Sequence, residues 1–295
     1  MVSPIINIER YLLERKKFID CAIGNYLNPP RQATPLLHEA ICYSALDGGK
    51  RFRPILTLSV GELFGAKRSA LLPFACAIEL IHCYSLIHDD LPALDNDDLR
   101  RGKPSCHKQF GEAIALLAGD ALLTEAFFIM SDPKAARVLG DSLNSKLIRE
   151  ISQAAGIRGM ISGQSTELEL EKNQITTAVL EQLDRLKTGA LITTAARVGA
   201  MIAKATRKDL VRITRYAQAL GLAFQITDDL LDADEVSSNG SNHKAMANYL
   251  SLEGRARAVE RVKTLLADCL KEMRPYGSAA EPLRAIARYV TERNA

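Results

Sequence analysis

The sequence predicts an all-α protein, one helical bundle spanning residues 1–295. Apolar residues recur at helical spacing from the first segment onward, as at Ile5, Ile8, Leu12, Phe18 and Ile19. The alternation of a half-buried strand is missing, and aromatic residues are only 5% of the chain, fewer than a sheet protein would use. No repeat, low-complexity tract or long linker divides the run.

The elements follow from their punctuation. Ser3-Pro4 opens a helix that ends near Asn28-Pro29-Pro30, and Thr34-Pro35 opens a second, through Leu46, stopped by Asp47-Gly48-Gly49. Pro54 suits the first position of a third helix, Ile55 to Phe64, which leaves Lys50 and Arg53 just before a helix N-terminus, a place that favours anions. Gly65 separates it from a long helix, Ser69 to about Leu91. Gly111 to Met130 is apolar, Pro133 marks a turn, and helices resume through Ile148, Ile151 and Ile157. The stretch GMISGQSTELELE places Gln164 on a helix with Glu167, Glu169 and Glu171, acids that read as a solvated face. Helices are predicted over Thr176 to about Ala203, carrying Lys187 and Thr188, and over Arg207 to about Asp234. A polar loop, Ser237 to Asn242, precedes two amphipathic helices, Glu253 to Met273 and Glu281 to Arg293.

Composition narrows the function. Hydrophobic residues make up 47% of the chain, ample for a large core. With 38 basic and 35 acidic residues the net charge is +3, so a nucleic-acid-binding field is not expected. The six cysteines form no CxxC pair, and Cys106-His107 lacks a second zinc-spaced pair, so reduced cysteines and no zinc are expected. The N-terminus lacks a signal-peptide core and no apolar run reads as a membrane span, so the expectation is a cytoplasmic protein.

Chemistry concentrates between Glu79 and His107. Asp89, Asp90, Asp95, Asp97 and Asp98 fall within ten residues, followed by Arg100, Arg101 and Lys103. This acidic block closes an apolar run, Pro73 through Ile87, where carboxylates are costly unless a cation neutralises them. Magnesium takes carboxylate oxygens and shares them with substrate phosphates, which forked arginines also hold. Asp89 and Asp95 are six apart, roughly 120° around a regular helix. Pro92 between them forbids an unbroken helix, so the backbone can fold Asp95 back toward Asp89. Farther on, Asp228 and Asp232 are four apart and share one helical face. Two acidic helix ends could then face one another across a cavity.

In their order, GKRFRP, DDLPALDNDDLRRGKPSCH, GQ, KTG and FQITDDLLD resemble the motifs of the trans-isoprenyl diphosphate synthases, of the bacterial farnesyl and geranylgeranyl type, over nearly the whole chain. The resemblance implies the isoprenoid-synthase bundle around a central cavity, a homodimer, and three Mg²⁺ ions. Asp89 and Asp95 match ligands of two ions and Asp228 a ligand of the third, with Asp90, Asp229 and Asp232 as supporting acids. Arg100 and Lys187 match contacts to an allylic diphosphate. Gly49, Lys50, Arg53, His82 and Arg101 match the site for isopentenyl diphosphate, and Thr188 and Gln225 face the allylic chain. Tyr84, five residues before Asp89, resembles the floor that stops growth at farnesyl, and Ser85 beside it offers no second floor. Farnesyl diphosphate is therefore the expected product, with geranylgeranyl diphosphate as the alternative.

The chain departs from the family after the second aspartate motif. LLDADEVSSNGSNHKAMANYL is shorter than the usual loop, with only Lys244, or His243, as its closing residue, and the terminal ERNA lacks the usual lysine. A terpene cyclase would have no use for GKRFRP and would replace DDLLD. A non-catalytic partner subunit would have lost metal aspartates, and here both sets stand.

Overall fold

The computed structural model describes residues 6–28, 34–170, 175–239 and 248–292. Lys244 and His243 lie outside them. Residue contacts resolve two compact units, one of Glu9–Leu58 with Ala66–Ile148, the other of Met1–Ile8, Ser59–Gly65 and Arg149–Ala295.

The first unit begins with α1 (Ile8–Tyr26), whose Ile19, Ala22 and Ile23 are buried, and α2 (Pro35–Leu46), entered from extended Thr34 with proline in the first turn. Helix α3 (Phe52–Leu63) starts three residues before the predicted Ile55. Pro54 is thereby inside the first turn rather than at its head, where a missing N–H still costs nothing. In α4 (Arg68–Asp89) the buried residues include Phe74, Ile78, Ile81 and Tyr84. A two-residue hairpin, β1 (Leu99–Arg100) and β2 (Lys103–Pro104), is the exception to the strand-free expectation. Its turn residues, Arg101 (φ 54°) and Gly102 (φ 76°), are both left-handed, as a tight two-residue hairpin requires. Then come α5 (Cys106–Phe110), α6 (Glu112–Met130), α7 (Pro133–Leu139), capped by the Asp132 carboxylate on Lys134 N–H at 2.8 Å, and α8 (Asp141–Ala155), which belongs to the second unit from Arg149 onward. Helix α4 packs along α6.

Helices α4 and α6 are each long and apolar enough to cross a membrane by length and composition alone, a test that a core helix also passes. The most apolar stretch of α4 is 67% buried within the protein, which makes it a core helix; that of α6 is only 39% buried.

The second unit contains α9 (Met160–Glu169), α10 (Thr177–Asp184), a π turn (Arg185–Gly189) and α11 (Ala190–Ile202). The unbroken helix predicted from Thr176 is thus interrupted where Lys187 and Thr188 sit. Thr176 does start it, its hydroxyl accepting from Val179 N–H at 3.3 Å. The long α12 (Arg207–Asn239) runs five residues beyond its predicted end, so the expected polar loop is helical as far as Asn239. The chain continues through α13 (Tyr249–Glu253), opened by an Asn248–Ser251 capping box, and α14 (Arg255–Met273). A 3₁₀ segment (Arg274–Ala280) and α15 (Glu281–Glu292) follow. Leu222, Ala223 and Ile226 of α12 join Val262 and Leu265 of α14 in one apolar core, with Leu180 and Tyr249.

Candidate active site

In the first unit, α4 ends in the acidic motif because Pro92 cannot continue it. Asp95 N–H donates to Asp89 O at 2.9 Å and Asn96 N–H to Leu91 O at 3.2 Å, with Asn96 left-handed (φ 52°). The chain therefore returns on itself as expected, tying the backbones of Asp89 and Asp95 together. Asp89 is half-buried and Asp95 exposed. Asp90 is 2% exposed and turns away to a structural partner: Arg100 Nε bonds both its oxygens, at 3.0 and 3.2 Å, and Nη2 reaches Asp90 and also Asp97 at 3.3 Å. Burial raises the Asp90 carboxyl above its ordinary value, against the hydrogen bonds and charge of Arg100. Arg100, matched to the allylic diphosphate, is held here by these two acids.

The basic motif divides by depth. Lys50 is exposed and Arg53 half-buried, whereas Arg51 is 1% exposed. Arg51 Nε bonds Asp20 at 2.6 Å, Nη1 bonds Glu79 at 3.1 Å and Nη2 bonds Ala45 O at 2.6 Å. The middle charge of the predicted basic patch is thus a core ion pair. Beside it, Gly49 (φ 85°) has the Arg101 guanidinium against it: a Cβ there would stand 2.9 Å from Arg101 Nη2. That approach and the positive φ both require glycine. Burial, then the charges of Arg53, Arg101, Arg51 and Arg100, hold the His82 imidazole well below its usual value, so it is neutral. Gly49 and Arg101 are thereby brought together, and His82 is buried in the field of Arg53 and Arg101. A cavity of about 110 Å³ is lined by Asp90, Arg100, Arg101 and Lys103, and Lys103 is paired with Asp47.

Below the acidic end, Tyr84 is 6% exposed. Its ring meets His88 edge to face at 5.6 Å, and His88 Nε2 lies 3.1 Å from Leu116 O in α6. A Cβ on Gly119 would collide with that imidazole, so glycine sets how closely α6 lies against His88. Ser85 donates to His82 O at 2.9 Å and is tied to its own helix.

The second unit positions Lys187 on the π turn. One extra residue per turn changes the direction of side chains, and such bulges recur at functional sites. Helix α9 comes so near that a Cβ on Gly163 would lie 2.5 Å from Lys187 N. Lys187 pairs with Glu167, which corrects the reading of Glu167 as a solvated acid. A sequence signal existed: Gly163 and Glu167 are four apart and share one face of α9. Thr188 Oγ1 donates to Gln225 Oε1 at 3.3 Å, Gln225 Nε2 to Asp229 Oδ1 at 3.3 Å, and Tyr249 N–H to Asp229 Oδ2 at 3.1 Å. Thr188 and Gln225 are therefore neighbours. On α12, Asp228 is half-buried and Asp232 exposed. Burial and then the charges of Asp229, Glu167 and Glu181 raise the Asp184 carboxyl to about 7, against Lys187.

Among the described residues no three His, Cys, Asp or Glu side chains converge as a ready cation cage. Magnesium needs none, because it commonly takes one or two carboxylates and completes its shell with water and substrate phosphate. The carboxylates of Asp89 and Asp95, on a turn closed by the 2.9 Å backbone bond, are a donor set of that kind.

Residues 34–247 match the model of the polyprenyl synthetase family. The chain belongs to that family. Farnesyl diphosphate synthase of Escherichia coli is 42% identical over 284 residues, 92% of this chain and 94% of that protein. Geranylgeranyl diphosphate synthase of Cyanophora paradoxa is 41% identical over 296 residues, 98% and 97% of the two chains. A crystal structure described as an FPP/GFPP synthase from Zymomonas mobilis superposes with a TM-score of 0.88 at 38% identity, covering 97% of this chain and 99% of that one. The fold is therefore that of the trans-isoprenyl diphosphate synthases, as the motifs implied.

Proposed function

We propose that this protein is a trans-prenyltransferase that condenses isopentenyl diphosphate with dimethylallyl or geranyl diphosphate, ending at farnesyl diphosphate. The observation that carries this is the cluster of Gly49, Arg53, His82 and Arg101, a cationic cradle additional to the Asp89–Asp95 turn. Two diphosphates call for two such places, and a cyclase would need one.

The chain's residues divide the work. Asp89, Asp95 and Asp228 would hold magnesium, three ions in the reading drawn from the family, which supplies positive charge to the leaving diphosphate. Lys187 and Arg100 add fixed cations as the allylic carbon–oxygen bond breaks. For this, Lys187 exchanges its Glu167 partner for a phosphate oxygen, and Arg100 does the same with Asp97. Lys50, Arg53 and Arg101 hold the isopentenyl diphosphate, with Gly49 admitting the arginine and neutral His82 donating a hydrogen bond. The double bond attacks the allylic cation, Thr188 and Gln225 flank the chain, and the departing diphosphate accepts the proton that is lost. Lys244, or His243, is the candidate diphosphate contact from the shortened segment after the second aspartate motif. Tyr84 stops the growing chain, and small Ser85 leaves that task to it.

A geranylgeranyl product is the second reading, favoured by the relative in Cyanophora paradoxa. A regulatory subunit fits less well, since Asp89, Asp95 and Asp228 are all retained. We further propose that residues 1–295 act as one catalytic domain in a homodimer. In α6, Leu117 and Phe128 are 50% and 70% exposed, and eleven residues bring them within about 20° of one helical face, a surface suited to a second copy. Six unpaired cysteines suit the reducing cytoplasm.

The test is incubation of purified protein with Mg²⁺, isopentenyl diphosphate and each allylic diphosphate in turn, with dephosphorylated products read by mass. A C15 limit is expected, and C20 would move the assignment to geranylgeranyl diphosphate. Asp89→Ala and Asp228→Ala are expected to abolish turnover, and full activity in either would remove it from the metal site.

A further inference from the structure

The second unit contains a cavity of about 450 Å³ that none of the residues assigned above lines. It is of small-ligand size, with room for ~15 waters. Five elements build it: Gln153 from α8, Arg158 from the following turn, Arg185 from the π turn, Arg197 from α11, and Thr214 and Gln218 from α12. Its walls are arginine, glutamine and threonine with Ala154 and Ala190, and no large aliphatic or aromatic side chain lines it.

Its charge is unbalanced. Arg197 pairs with Glu150, the one carboxylate of the lining, and donates to Thr214 Oγ1 at 2.8 Å, so it is fixed and neutralised. Arg185 bonds Glu181 at 3.1 Å, but Arg261 bonds the same carboxylate twice, at 3.0 and 3.1 Å. Arg158 makes no ion pair among the described residues. Three lining arginines (Arg158, Arg185, Arg197) face one lining carboxylate (Glu150), and Glu181, outside the lining, is shared between Arg185 and Arg261, so positive charge is in excess. Forked guanidinium groups flanked by amide and hydroxyl donors fit phosphate oxygens.

Arg185, Gly189 and Ala190 line the cavity, whereas Lys187 and Thr188, on the same turn, do not. We propose that this cavity binds a diphosphate group and that the bound anion acts on the turn carrying Lys187. Occupancy pulls Arg185 from Glu181 and so bears on the backbone that aims Lys187. Naming diphosphate rests on the proposed reaction, which releases it; the source is either that product or the head group of a prenyl diphosphate. Binding of a compact polyanion does not depend on that reading.

Arg158→Glu and Gln218→Glu place a carboxylate on two different elements of the lining at exposed positions, outside the core and outside the proposed machinery. Titration of the full chain with inorganic diphosphate is expected to count one site fewer in each variant than in the wild type. Asp89→Ala is expected to retain the site that those variants lose. Diphosphate inhibition that is noncompetitive with the allylic substrate is expected to weaken at least about tenfold in both variants. A titration with the unreactive thio analogue of geranyl diphosphate separates the sources: loss of a site there too makes prenyl head groups ligands, and its absence leaves the released product. Unchanged stoichiometry and inhibition in both variants would overturn the proposal. The site count is independent of turnover, so a wild type that makes no product would end the reaction assignment without touching this result.

Discussion

Residues of one type in one motif have opposite duties here. Lys50, Arg51 and Arg53 share a turn, yet Arg51 is 1% exposed and joined to Asp20 and Glu79. Arg51→Met leaves the buried Glu79 uncompensated, while Asp20 keeps Lys16, and is expected to cost about 3–5 kcal/mol, read as a lowered denaturation midpoint. Lys50→Ala, at an exposed position, is expected to change stability by less than about 0.5 kcal/mol and instead to raise KM for isopentenyl diphosphate. The motif showed that cations were needed but not which one was interior, because charge type carries no depth. Asp184 gives a second residue-scale test. Its folded value, about 7, lies above its ordinary 3.8, so the folded state keeps a proton that the unfolded chain releases. Stability from this group is present at low pH and is lost as pH rises through that window. Asp184→Asn should therefore gain stability relative to wild type at pH 8 and show little difference near pH 4; an equal offset at both would exclude titration as the cause.

At the scale of elements, the sequence marked nearly every helix, because proline, glycine and capping residues stand at the ends, as at Thr34-Pro35 and Thr176. It did not mark the π turn. RLKTG has the composition of an ordinary helix, and the extra residue in the turn follows from what packs on it. Helix α9 is that neighbour, brought close at Gly163 with Glu167 reaching Lys187. Gly163→Ala puts a methyl 2.5 Å from Lys187 N and must move the turn. A shift of about 1 Å in a positioning element costs on the order of a hundredfold in rate, so kcat is expected to fall about that much while KM for isopentenyl diphosphate holds. A loss confined to thermal stability would return Gly163 to packing alone.

For the whole molecule, fold and reaction class were legible because five motifs occur in one order over most of the chain. The face on which a second copy would sit was not, since α6 reads as apolar throughout and only the structure distinguishes its covered side from Leu117 and Phe128. Leu117→Glu with Phe128→Glu is expected to yield monomers in sedimentation velocity, and an unchanged sedimentation coefficient would place any dimer contact elsewhere. Helix α4 is as apolar as a membrane span because it is buried inside its unit.

The contact of Tyr84 with His88, and of His88 with Gly119, bears on the spread of products as well as their mean length. On the proposed reading Tyr84 is the end stop of a molecular ruler whose zero mark is Asp89, and His88 stands between them. An imidazole wedged between α4 and α6 makes the stop stiff, and a stiff stop gives a narrow product distribution. Tyr84→Ala moves the stop and should shift the whole distribution to longer chains. Gly119→Ala loosens the mounting, and its signature is loss of fidelity: C15 accompanied by shorter and longer products in proportions that change with temperature.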